Sequence, residues 1–115
     1  MRPEIAELSH AVEAASRLLL ASGEKRWGEW LRSDAERIRS LDFYGVEHLL
    51  SAFGGIGSLN DLVLHPSNGH SITAADADGA NGKVRSLLSS IYTQAERLRR
   101  EEGRGAGTRG SSQTG

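Results

Sequence analysis

The chain has 115 residues, no cysteine and a formal net charge of −1. The lack of cysteine excludes disulfides, thiolate zinc sites and cysteine nucleophiles. No apolar run has the length of a signal peptide or a membrane span, so the expected protein is cytoplasmic and stays off the membrane.

The middle third of the chain contains no basic residue. Between Arg39 and Lys83 there is no Lys or Arg, whereas acidic residues recur. These acidic residues are Asp42, Glu47, Asp61, Asp76 and Asp78. Such a surface cannot attract phosphate backbones through side-chain cations, which argues against nucleic acid as a partner. It favours a protein partner with a basic surface.

The composition predicts one domain over residues 1–102 and a disordered tail over residues 103–115. The tail has five glycines in thirteen positions and no large apolar side chain. It therefore cannot bury enough surface to offset the entropy lost on ordering.

Apolar residues spaced by three and four predict a mainly α fold of about four helices. The first two helices are predicted at about 3–22 and 24–40, with the second stripe continuing to Leu41, and Gly23 ends the first. The short link between them predicts an antiparallel hairpin. Asp42 can cap a third helix that reaches Phe53 and ends at Gly54. The fourth helix is predicted from about Asn81 to Glu101, with arginines near its end.

The segment 58–73 allows two interpretations. Ser58-x-x-Asp61 matches a capping box, which would start a short helix before Pro66. Alternatively, residues 62–65 and 70–73 could pair as a short β-hairpin around the loop 66–69, and this is the favoured interpretation.

The glycines between Phe53 and Ser58 form the most unusual stretch of the chain. Gly54, Gly55 and Gly57 could aim successive N–H groups inward as an anion-binding nest. The P-loop and dinucleotide patterns both fail here, because no Lys follows and no strand precedes. The simpler explanation, which we favour, is that these glycines let the chain turn sharply.

Polar residues after this turn are the remaining candidates. Asn60 and Asp61 could contact a ligand or a partner, although capping and turn formation are their commoner uses. Asp61, His65 and His70 provide metal-ligand chemistry without a recognised spacing, so neither a metal nor a cofactor is expected. The candidate binding residues are Gly54, Gly55, Gly57, Ser58, Asn60, Asp61, Asn68 and His70.

The motif Phe53-Gly-Gly-Ile-Gly-Ser-Leu-Asn-Asp-Leu-Val-Leu64, followed by Asn68-Gly-His70, resembles a family of small uncharacterised bacterial proteins. The segment Trp27-Gly-Glu-Trp-Leu31 fits the same pattern. The resemblance implies a compact, mainly helical cytoplasmic domain, and it implies no catalytic residue.

No nucleophile motif or metal signature supports an enzyme, because Ser58 does not lie in Gly-x-Ser-x-Gly. The leading hypothesis is a non-enzymatic protein-interaction module of the immunity or accessory kind. The alternative is a small-ligand binder or enzyme that uses the 53–70 loop, with Asp61 and His70 as acid–base groups.

Overall fold

The computed structural model describes residues 2–54 and 57–113, with side chains as far as Glu102. Four α-helices make up most of the chain, and no strand occurs in these residues. Their bounds are α1 Pro3–Ala21, α2 Lys25–Arg39, α3 Tyr44–Leu50 and α4 Ala74–Gln113. The prediction of a mainly α fold is confirmed. None of the described helices combines the length and the hydrophobicity needed to cross a bilayer.

The helices α1 and α2 pack closely as a hairpin. Ser16 Oγ donates a 2.7 Å hydrogen bond to the backbone oxygen of Gly28. A Cβ atom on Gly28 would lie 2.6 Å from the side chain of Leu20, so a larger residue would require Leu20 to move. Gly23 ends α1 with φ +82°, as its position predicted.

One apolar core joins all four helices. Side chains from the predicted stripes meet there, together with two leucines of the loop that precedes α4. Its fully buried large members are Leu8, Val12, Leu19, Leu31, Val46, Leu49, Leu59, Leu64 and Ile91.

The third helix is shorter than predicted, and it ends at Leu50 rather than at Gly54. Its start agrees with the prediction, because Asp42 Oδ1 accepts a hydrogen bond from Tyr44 N at 3.1 Å. Phe53 lies in the turn that follows and packs its ring against Tyr92, with centroids 5.2 Å apart.

The fourth helix begins seven residues earlier than predicted, at Ala74 rather than Asn81. Thr73 Oγ1 accepts a hydrogen bond from Asp76 N at 3.2 Å and donates one to Asp76 Oδ2 at 3.0 Å. Thr73 therefore caps one of the free N–H groups at the start of α4, and the helix includes Gly79 and Gly82.

The predicted β-hairpin over 62–73 is wrong. Two 3₁₀ turns occupy this region, Leu59–Asp61 and Pro66–Asn68. The backbone N–H and C=O of Leu64 pair instead with the side chain of Asn81, at 2.8 and 2.9 Å. One amide side chain therefore satisfies both backbone polar groups of Leu64, which need no pairing with a strand.

The predicted domain boundary at residue 102 falls within α4, whose bounds extend to Gln113. The side chains beyond Glu102 lie outside the described part, so the disordered tail over 103–115 stays a prediction.

Candidate functional site

The backbone N–H of Gly57, in the predicted anion-binding nest, is bound by a carboxylate of the chain itself. Gly54 and Gly57 have φ of +90° and +79°, the left-handed conformation that favours glycine. The Gly57 N–H donates a 2.8 Å hydrogen bond to Asp61 Oδ2, and Ser58 Oγ accepts one from Asn60 N at 3.3 Å. A carboxylate of the chain therefore takes the place that an anionic ligand would occupy. Gly55 lies outside the described residues.

Two of the predicted binding residues, Gly54 and Asn60, line an open groove of about 730 Å³ beside α4. Gly54 and Asn60 face it from the turn, and Arg85 and Tyr92 face it from the helix. Leu50, Phe53 and Leu88 supply its apolar surface.

His70 is a buried structural residue, with its side chain only 6% exposed. Its Nδ1 accepts a hydrogen bond from His65 N at 3.1 Å, so the ring proton sits on Nε2 and reaches Glu24 Oε1 at 2.9 Å. The other oxygen of Glu24 accepts from Trp27 N and caps α2. Both ring nitrogens of His70 are thus used to pin the loop to the start of α2.

The other polar residues of the loop make local bonds. His65 Nδ1 accepts from Ser67 N at 3.1 Å, and Asn68 Nδ2 donates to Val63 O at 3.0 Å. The structure therefore does not join Asp61, His65 and His70 into one polar cluster. In the described residues no group of three acidic or histidine side chains could hold a metal ion.

A buried acid–base pair lies elsewhere, between α2 and α3. Asp34 is fully buried, and its Oδ1 lies 2.6 Å from Nδ1 of His48. Arg37 approaches the same carboxylate oxygen at 3.8 Å. Trp30 Nε1 faces the carboxylate, yet Nε1 and Oδ2 are each buried without a partner at hydrogen-bonding distance.

Burial dominates the electrostatics of this pair. It raises the pKa of Asp34 from 3.8 to about 6, although His48, Arg37 and Trp30 all act to lower it. The desolvation of a carboxylate in an apolar setting explains the direction. The outer side of the His48 ring is partly exposed, with 24% of the side chain accessible.

A row of aromatic contacts, which we call the ladder, connects this pair to the protein surface. The His48 ring stacks on Trp30, with centroids 4.1 Å apart and planes 14° apart, and Trp30 packs on Trp27 at 5.2 Å. His48 also packs against Tyr44 at 5.7 Å, and the Arg37 guanidinium lies 5.2 Å from the Tyr44 ring. Tyr44 is 57% exposed and is the solvent end of the ladder.

Leu41 lies three residues before Tyr44 and has the most unusual backbone of the corner between α2 and α3. It is 63% exposed, so the predicted apolar stripe leaves the core before reaching it. Its φ is +65°, and no other described non-glycine residue has a positive φ. Its N–H bonds to Ile38 O at 3.0 Å and the next N–H bonds to Arg37 O at 2.8 Å. This pattern is a Schellman motif, whose left-handed position usually holds glycine.

We call Leu41, Asp42, Tyr44 and Glu47 the corner face. Tyr44 and Glu47 are three residues apart and lie on the same side of α3. All four residues of the face are exposed. The corner face therefore combines two exposed apolar or aromatic side chains with two carboxylates.

Residues 20–73 match the family model of a domain of unknown function, DUF6966. The match covers just under half of the chain and agrees with the predicted resemblance to an uncharacterised family. It includes α2, α3 and the loop up to Thr73, and therefore the corner face and the Asp34–His48 pair. No curated protein and no solved structure matches the chain.

The candidate binding residues predicted from the sequence do not include Asp34 or Leu41. A signal for Asp34 was present, because it lies three residues after Leu31 and four before Ile38, on the apolar stripe of α2. Because Asp is almost never fully buried unless it is paired, an Asp at a stripe position indicates a buried carboxylate with a polar partner. For Leu41 the only signal was the absence of a glycine where α2 must end.

Proposed function

We propose that this chain is a non-enzymatic protein-interaction module that docks through the corner face. The observation that carries the proposal is the exposed Leu41 side chain on a left-handed backbone. That conformation costs an L-residue about 1–2 kcal/mol, and glycine would avoid the cost. An exposed apolar side chain on a strained backbone adds nothing evident to the stability of the fold. Its role is therefore contact with another molecule.

The neighbouring residues support a docking role. Tyr44 is exposed and its ring is held between His48 and Arg37. A rigid aromatic side chain loses little entropy on binding, which is why tyrosine is enriched in protein interfaces. The buried Asp34–His48 contact fixes α3, and with it Tyr44, against α2.

The acid–base alternative has less support from the geometry. Asp61 accepts the Gly57 N–H and His70 is held by Glu24 and His65. An acid and a base that act on one substrate must reach the same reacting atoms.

Leu41→Gly is the test of the proposal, because it removes the exposed side chain and relieves the backbone at once. Tagged wild-type protein and the variant are used as baits in an extract of the host cells, followed by mass spectrometry. Val63→Ala is the matched control, because Val63 is 52% exposed in a different part of the chain.

We expect the wild type and Val63→Ala to retain the same partner and Leu41→Gly to lose it while remaining folded. If Leu41→Gly captured the same proteins in the same amounts, the corner face would not be the docking surface.

A second candidate is a small-ligand site in the groove beside α4. The observation that favours it is the meeting of Gly54 and Asn60 with Tyr92 and Arg85 around one cavity. The test is a thermal-shift screen of metabolites on the wild type and on Arg85→Ala, with Lys83→Ala as the control. A ligand that stabilises the wild type and Lys83→Ala but not Arg85→Ala would support it. A ligand that stabilises all three equally would not bind in this groove.

A further inference from the structure

We infer that the partner of the corner face is a basic segment that inserts one aliphatic side chain into an apolar pit beside Leu41. The inference rests on the proposed docking function and specifies the chemistry of the partner. Two independent features carry it, which are the pit and the distribution of unpaired charge.

The pit is a small cavity of about 50 Å³ where the four helices meet. Its lining is almost wholly apolar, and the carboxylate-bearing Asp42 stands beside it. The lining residues are Ile5, Ile38, Leu41, Asp42, Phe43, Val46 and Leu98. A cavity of this size accommodates the end of an aliphatic side chain rather than an aromatic ring. A buried aliphatic side chain of a partner is the kind of central anchor that protein interfaces use.

Three arginines close in sequence to the lining residues lie near carboxylates of the chain. Arg37 approaches Asp34, Arg39 is paired with Glu13 at 3.1 Å, and Arg2 is paired with Glu101 at 2.9 Å. The two acidic residues of the corner face are Asp42 and Glu47. Neither makes an ion pair with any residue whose side chain the structure describes.

The unpaired charge of the corner face is therefore negative. Lys and Arg are absent from Ser40 to Gly82, so no nearby residue in this segment can neutralise it. A partner with Lys or Arg on either side of a Leu, Ile or Val would place the aliphatic side chain in the pit and cations against Asp42 and Glu47. Electrostatic complementarity of this kind speeds association and selects against acidic partners.

The test is a titration of the labelled full-length protein with a short probe peptide, followed by amide chemical shifts. The probe is Lys-Lys-Leu-Lys-Lys with blocked ends. Two comparison peptides replace either all lysines by glutamate or the leucine by alanine. We expect saturable shifts at the corner face and at Val46 with the probe, and weaker shifts or none with both comparisons.

Variants of the protein test separately the contribution of the two carboxylates and that of the pit to peptide binding. In Asp42→Asn with Glu47→Gln, the probe should bind roughly tenfold more weakly, corresponding to the loss of about 1.4 kcal/mol. Asp78→Asn is the charge control, because it lies about 30 Å along α4 from Leu98, and binding should be unchanged. Val46→Ile adds one methylene group that fills part of the pit and should weaken binding, and its melting temperature shows whether the core tolerates the larger side chain.

The outcomes distinguish this inference from the proposed function. Equal binding of the glutamate peptide, or no binding of the probe, would overturn the basic partner. If Leu41→Gly still abolished capture of the host partner, the docking function would stand while its partner chemistry would be wrong. If the capture were independent of Leu41, the proposed function itself would fail.

Discussion

The Asp34 carboxylate and the His48 imidazole lie 2.6 Å apart and join α2 to α3 at a buried point. Trp30 stacks on the imidazole, and Tyr44 packs against it as well. Because α3 has only seven residues, this contact is a main determinant of where its exposed side chains stand. The pair thus links the core of the hairpin to the corner face.

The raised pKa of Asp34 predicts a specific pH dependence of stability. The folded-state pKa of about 6 exceeds the unfolded value of 3.8, so the native state binds the proton more tightly. The stabilisation is fully present below pH 3.8 and is lost as the pH rises through about 6. Two pKa units correspond to about 3 kcal/mol at most.

Asp34→Asn isolates this contribution, because the amide cannot titrate and its two ends suit Trp30 Nε1–H and His48. Urea unfolding of both proteins should show the wild type gaining stability relative to the variant between pH 7 and pH 4. A constant difference across that range would contradict the raised pKa. Asp34→Ala should be destabilised at every pH, since it leaves the His48 Nδ1 atom without its polar partner.

Leu41→Gly should raise the free energy of unfolding by about 1 kcal/mol, because glycine adopts φ near +65° without steric cost. Gly23 is the internal comparison, since it closes α1 with the same pair of backbone bonds. Gly23→Ala should be destabilised, because the new Cβ would lie 3.0 Å from Ser71 as well as forcing the left-handed conformation on alanine. Chemical denaturation measures both, and a destabilised Leu41→Gly would remove the argument that Leu41 is conformationally expensive.

The predictable parts of the fold are those that depend on periodicity. The bounds of α1 and α2 agree with prediction to within two residues, since their stripes and the Gly23 stop are local features. The start of α4 could not be found in this way, because Gly79 and Gly82 lower the helix propensity and obscure the cap formed by Thr73 and Asp76.

The candidate site was less predictable, because its decisive contacts join distant residues. The Asn81 side chain hydrogen-bonds the backbone of Leu64, which lies 17 residues earlier in the chain. Glu24 hydrogen-bonds the His70 ring, which lies 46 residues later. Ser58 and Asp61 were predicted as an alternative capping box, and both side chains do accept local backbone N–H groups, although these belong to Asn60 and Gly57 rather than to Asp61 and Ser58.

The two glycines inside α4 give a stabilising prediction. A Cβ atom on Gly79 or Gly82 would meet no atom within 4 Å outside the local helix backbone. Alanine should therefore raise the free energy of unfolding by about 0.5–1 kcal/mol at each position through its higher helix propensity. Thermal melts of the single and double variants measure this, with Gly28→Ala as the opposite control because its Cβ would clash with Leu20. Destabilised Gly79→Ala and Gly82→Ala variants would indicate a need for glycine that the helix does not explain.

Asp61 is expected to act through stability rather than through binding. Asp61→Ala removes the acceptor of the Gly57 N–H and should cost about 0.5–2 kcal/mol, as lost caps do. Asp61→Asn keeps an oxygen acceptor and should cost less. Binding of the host partner should fall only as far as the folded fraction falls. A fully folded Asp61→Ala that has lost all binding would instead make Asp61 a contact residue.

The Asn81 side chain should be one of the most sensitive polar groups in the protein. It is buried and satisfies both the N–H and the C=O of Leu64, itself fully buried. Asn81→Ala leaves two backbone groups without partners and should cost about 2–4 kcal/mol. Asn81→Asp keeps the acceptor for Leu64 N but loses the donor for Leu64 O, so it separates the two bonds. Hydrogen exchange gives the local readout, since the Leu64 amide should lose protection in Asn81→Ala well before the amides of α1 do. Unchanged protection of Leu64 in that variant would show that the loop is held by its apolar contacts alone.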